Sequence, residues 1–315
     1  MQISLCFKNP GNRINSNFPP MPSVSPIIEP RALLNFKKET VMKTKINALL
    51  VTGGHWYDAE PFFEMISELK DWDKDVEISW THAPQPEAQA FFKPEKAAQF
   101  DVFVMYDMPG VAFTGTIPRF SLEDPSEEHK ADFLNLLAVG KPFVFIHHAI
   151  ASWPTWPEFA EIIGGRFHFV PGKLRDKTIP GSGYRFNIHQ EIDVLDTSHP
   201  IVKGLGDSFE IKDEVYMYAV LEDSVTPLLR NTNFKFIPEN FHHGGDEYKS
   251  HPEGSDLVAW TKTYKNSPIA YLMFGHGPQV YYDKQDRSLI VSSVKWAISE
   301  KAAKWVEEKN LEVKQ

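Results

Sequence analysis

The chain has 315 residues, 42% hydrophobic and 24% charged, enough for one large domain or two modest ones with a sizeable core. Its net charge of −9 and the absence of any Lys/Arg-rich run argue against nucleic acid or an anionic membrane as partner. The only cysteine is Cys6, which excludes an intrachain disulfide and a cysteine metal cluster, and no apolar run approaches the roughly 18 residues of a membrane span.

Residues 1–41 are rich in Pro, Asn and Ser and show no period, so they read as an N-terminal arm, disordered or laid over the domain. Met42, opening MKTKINALLVTGG, is an alternative natural start. MQISLCF is too short for the apolar region of a signal peptide and Lys8 follows it, so a cytoplasmic setting is expected. The domain then runs over 42–305, with a tail at 306–315.

INALLV (46–51) is a continuous apolar run, as expected of a parallel strand covered on both faces. It ends in Thr52-Gly53-Gly54-His55, followed by a helix with Phe62, Ile66 and Leu69 on one face. VEISW (76–80) and DVFVMYD (101–107) are further strands. Asp124-Pro125-Ser126-Glu127 reads as an N-cap, a proline at N1 and a glutamate at N3, opening a helix that Gly140 ends. FVFI (143–146) is the next strand, and His147-His148 stops it. A short helix at 157–165, an alternating strand at 184–194, and strands in VTPLLR, DLVAWTKTY and PIAYLMF follow. An amphipathic helix from Asp286 through Lys304 closes the domain. Strand, helix, strand at this spacing predicts an α/β fold with a doubly wound, mostly parallel sheet.

In such sheets ligands bind at the carboxyl ends of the strands. Three strand ends carry histidine: His55, the pair His147-His148, and His276 after PIAYLMFG. Side chains alternate along a strand, so one of His147 and His148 can face the crevice while the other packs or caps a turn. Each histidine, taken singly, can equally satisfy a local hydrogen bond. No G-x-S-x-G occurs and Cys6 lies in the arm, which disfavours an acyl-enzyme mechanism. Histidine and carboxylate ligands suit a divalent metal such as zinc, with His55, His148 and His276 as candidates, although no ligand pair has a metal-binding spacing. The backbone at Gly54 and His55 could hold a sugar oxygen, and the turn lacks the nucleotide-binding patterns. Trp56, Trp153 and Tyr216 belong to a dense set of aromatics suited to the C–H faces of a sugar ring.

Several segments together resemble the ThuA-like family, named for trehalose utilisation and sharing the class I glutamine amidotransferase-like, flavodoxin-like three-layer fold. SHPIVKGLGDSFEIKDEVYMY (198–218) is similar to its most specific segment, and LLVTGGHWYD, GKPFVFIHHAIASW, FAEIIGGRF and MFGHG resemble others, spanning roughly 46–300. KNSPIAYL departs from a glycine-lysine-glycine-arginine run of the family, and residues 233–255 form a longer excursion than its core. The resemblance implies carbohydrate utilisation beside sugar oxidoreductases that make 3-keto-glycosides, with a small carbohydrate as ligand.

The expected chemistry is proton transfer beside a carbonyl or at a glycosidic oxygen, giving isomerisation, elimination or hydrolysis. His148 or His147 would act as base or ligand, His276 as acid or ligand, and Glu214 as the orienting or second carboxylate. Asp213 would cap the turn beside it. The alternatives are a non-catalytic sugar-binding module and a metal-dependent hydrolase of another small substrate. Whether the chain forms a homo-oligomer is left open.

Overall fold

Apolar runs without charge become the centre of one sheet. The computed structural model describes residues 43–115 and 119–312; the N-terminal arm, Cys6 and the two candidate starts lie outside them. β1 (Thr44–Gly53) lies between β2 (Val76–Pro84) and β3 (Val102–Asp107), and β4 (Phe143–Ile146) follows β3. Every residue of β3 and β4 is buried, as a strand covered on both faces requires. β5 (Gly183–Val194), β6 (Ser208–Met217), β7 (Thr226–Asn231), β8 (Leu257–Tyr264) and β9 (Ser267–Leu272) complete the order β6-β5-β7-β8-β9-β4-β3-β1-β2. The short strand His243–Gly244 also pairs with β5.

From β2 to β9 the pairing is parallel throughout, and from β9 to β6 it is antiparallel. The carboxyl ends of β1, β3, β4 and β9 therefore share one edge. Helices cover both faces. Phe143 and Phe145 of β4 pack on Phe133 of α2 (Glu127–Ala138) and Phe159 of α3 (Pro157–Ile163). Tyr106 stacks at 4.4 Å on Phe62 of α1 (Ala59–Leu69), with α4 (Lys284–Ala297) beside it. This is the expected doubly wound fold, with a parallel-rich mixed sheet.

Three local expectations are corrected. Ser126, not Asp124, caps α2: its Oγ accepts from His129 N at 3.1 Å, and the helix starts at Glu127. The closing helix is two helices. Ser299 Oγ accepts from Ala302 N at 3.1 Å and starts α5 (Glu300–Glu312), so most of the expected tail at 306–315 is helical, with Val306 buried. SFEIKDEVYM (208–217), which shows no clean alternation, is a ten-residue strand. No helix among the described residues is long and apolar enough to cross a membrane.

His129 of α2 packs between Phe92 and Trp153, and its Nδ1 has no partner among the described residues. Burial pushes its pKa down to about 4. Below pH ~6.5 the unfolded chain takes up a proton that the folded chain refuses until about pH 4, so stability falls across that window by on the order of 3 kcal/mol. Thermal unfolding followed from pH 7 to 4 should show a shallower acid decline in His129→Leu than in the wild type. An identical slope would place the acid-sensitive group elsewhere.

Candidate active site

At the end of β4 the chain turns sharply. His147 adopts φ 53°, a left-handed conformation uncommon outside glycine, and the turn sends His147 and His148 to different surroundings. His147 is fully buried. Its Nδ1 donates to the Met273 carbonyl at 2.7 Å, while Nε2 lies 3.1 Å from Glu214 Oε2 and 2.7 Å from Tyr216 Oη. His276 Nδ1 reaches the same Oε2 at 3.0 Å. Glu214 and Tyr216, two apart on β6, share one face of the strand.

Asp213 points to the other face of β6. Its carboxylate accepts from Gly275 N at 2.7 Å and His276 N at 3.2 Å, so it fixes the loop after β9 rather than capping a turn of its own. Burial opposes ionisation of Glu214, but the bonds from His147 and His276 outweigh it and draw the carboxyl down to about 2. Burial disfavours charge on His276 too, and Glu214 more than offsets it, raising its pKa. Burial, with the charge of Glu214 beside it, raises Asp213 against His147 and its backbone donors.

His148 is buried and lines the neighbouring cavity. Its ring lies 4.4 Å from that of Tyr106, and its Nε2 has no partner among the described residues. Burial, with His55 and His147 close by, pushes its pKa well below the usual range. The His55 ring stands 4.9 Å away, its Nδ1 2.7 Å from the Trp56 carbonyl, and burial lowers its pKa as well.

The cavity beside these groups has a volume of about 400 Å³. His55, Arg119, His148, Glu214, Tyr216 and His276 supply its polar groups. Phe113 and Phe120 from a hairpin, Phe167 and Phe169 after α3, and Tyr184 and Phe186 of β5 form aromatic walls. The excursion at 233–255 contributes Gly244 and Gly245.

Not every expected residue reaches this cavity. His147 sits behind it, bonded to Glu214. Trp56 is 71% exposed and is not among the lining residues. Trp153 is buried against His129 instead, because its own backbone turns at φ 46°. Gly54 serves the backbone: a Cβ there would lie 2.2 Å from the Met108 carbonyl oxygen, at φ +79°. The donor atoms that converge closely enough for a metal belong to His147, Glu214 and His276, within 4.8 Å of one another. Of the metal candidates His55, His148 and His276, only His276 belongs to this cluster. Sequence reasoning missed Phe113, Phe120, Tyr184 and Phe186. The i, i+2 aromatics Tyr184 and Phe186 carried a signal, but the alternation of that strand reads equally as a solvent-facing pattern.

Fold and site together define an α/β protein of the glutamine amidotransferase-like class, with a histidine at the strand-end turn where such proteins place a nucleophile. The chain belongs to the ThuA family, described as trehalose utilisation, whose model matches residues 47–297. That membership assigns it to carbohydrate utilisation. A ThuA-like protein from Parabacteroides merdae is 18% identical with a TM-score of 0.59, covering 81% of this chain and 91% of its own. A ThuA-like protein from Bacteroides uniformis is 19% identical with a TM-score of 0.56, covering 86% and 96%. At these identities the likeness shows the fold. Comparison with curated proteins gives no match.

Gly54→Ala should cost about 3 kcal/mol or more, since it combines a left-handed backbone with a clash against rigid main chain. Denaturant unfolding measures it; a loss under about 1 kcal/mol would mean the loops after β1 and β3 can part.

Proposed function

We propose that the protein is an enzyme acting on a glycoside or 3-keto-glycoside by proton transfer, without a serine or cysteine nucleophile. The observation that carries this reading is that His148, whose buried Nε2 has no partner among the described residues, lines the same cavity as Glu214 and His276. With its proton on Nδ1, the His148 ring holds a lone pair on Nε2. It is suited to take a proton from a carbon beside a carbonyl or from a sugar hydroxyl. Glu214 with His276 stands where a substrate oxygen changes charge, and Tyr216 can hold a hydroxyl. The aromatic walls suit the C–H faces of a sugar ring, and about 400 Å³ lies within the range of small-ligand sites. Among the described residues, no serine or cysteine lines the cavity. Membership of a trehalose-utilisation family supports a sugar as the substrate.

The test is a panel of glycosides and 3-keto-glycosides followed for product and for exchange of substrate protons with deuterated water. His148→Ala should slow turnover ~100-fold or more, while stability changes by roughly 1 kcal/mol. Wild-type turnover in that variant would remove His148 from the chemistry. Sugar binding by the wild type without any turnover would favour the sugar-binding module instead.

A further inference from the structure

Three segments distant in sequence deliver one donor atom each to a single point. His147 Nε2 comes from the turn after β4, Glu214 Oε2 from the middle of β6, and His276 Nδ1 from the loop after β9. Their hydrogen bonding constrains where the protons are. The Met273 carbonyl can only accept, so His147 Nδ1 carries a hydrogen and Nε2 is the nitrogen left to act as a ligand. That nitrogen lies 3.1 Å from Glu214 Oε2. The three donor atoms lie within 4.8 Å of one another, close enough for one cation to sit among them.

We propose that His147, Glu214 and His276 form a binding site for one divalent transition-metal ion, zinc-like in its donor set, with its open position facing the aromatic cavity. Bonds of about 2.0–2.1 Å to a tetrahedral ion place neighbouring donors about 3.4 Å apart. The observed separations, 3.1 and 3.0 Å, fall a few tenths of an ångström short of that edge. Two histidines and one glutamate with a vacant fourth position make a familiar catalytic zinc set.

The surroundings are those of a metal centre. The Met273 carbonyl fixes the tautomer and orientation of His147, the usual outer partner of a ligating imidazole. The Asp213 carboxylate anchors the backbone of His276 through two N–H groups. Tyr216 Oη, 2.7 Å from His147 Nε2, can turn its proton to Glu214 and free the lone pair. Glu214 and His276 both line the cavity, which gives an ion a path in and a substrate oxygen a path to the ion. The site does not depend on which sugar enters the cavity.

The experiment uses the full chain and no substrate. Metal content is measured on the purified protein, which is then stripped with chelator and titrated with ZnCl2, MnCl2 and CoCl2. Calorimetry, thermal unfolding and, for cobalt, the visible absorption of a low-coordinate ion are followed. The expected result is one ion per chain, a raised unfolding temperature, and a loss of affinity of ~100-fold or more in His147→Ala and Glu214→Gln. Glu214→Gln is nearly isosteric, so it decides the point if the histidine variant folds poorly. His148→Ala should keep the ion, which separates this site from the proposed chemistry. Failure of all three ions to bind the stripped wild type in stoichiometric amount would overturn the site and leave His147, Glu214 and His276 as a hydrogen-bonded cluster. Equally tight binding by Glu214→Gln would overturn it too, by placing the ion elsewhere.

Discussion

An ionised carboxylate beneath an aromatic cavity is the constraint on which the site depends. Removing Glu214 from water is costly, and only close positive or hydrogen-bonding partners can offset that cost. Both partners come from neighbouring parallel strands. β4 and β9 pair so that Ile146 stands opposite Leu272, which sets His147 against Met273 and leaves His276 within reach of the same oxygen. The antiparallel half of the sheet then brings β6 to that edge. Asp213, one residue before Glu214, fixes the loop that carries His276. Two adjacent carboxyls on opposite faces of one strand thus do different work, one holding the loop and the other meeting the histidines.

Backbone geometry at the turn after β4 makes this arrangement specific. His147 holds a left-handed conformation, of a kind that survives only where the surroundings over-determine it. Gly275 is part of those surroundings: a Cβ there would come within 3.0 Å of His147 Cβ, at φ +139°. The turn that exposes a nucleophile in related architectures instead buries an imidazole and points it at a carboxylate. Its neighbour His148 takes the cavity wall. One strand end therefore supplies a structural or ligating histidine and a free one side by side.

The parallel half of the fold was legible because VFVMYD and FVFI are apolar on both faces, and such runs have few other homes in a soluble protein. Topology then made the histidines legible, since parallel strands put His55, His148 and His276 at one edge. β6 was not legible as a strand. Glu210 and Lys212 face solvent in SFEIKDEVYM, but Asp213 and Glu214 are buried in succession, and that breaks the period on which strand reading rests. The donor cluster could not be found from spacing, because its members come from a turn, a strand centre and a loop. Trp153 misled through its nearness in sequence to His148. Its ring belongs to the packing around His129, while the cavity takes its walls from Phe113, Phe120, Tyr184 and Phe186, far apart in the chain.

The central claim is that Glu214 couples the two histidine rings. Ring ¹⁵N chemical shifts of the histidines, recorded for the wild type and Glu214→Gln under the same conditions, test it most directly. The rings of His147 and His276 should both move, because each has a nitrogen about 3 Å from the altered oxygen, while His129 stays where it is. Unchanged shifts at His147 and His276 would contradict the account.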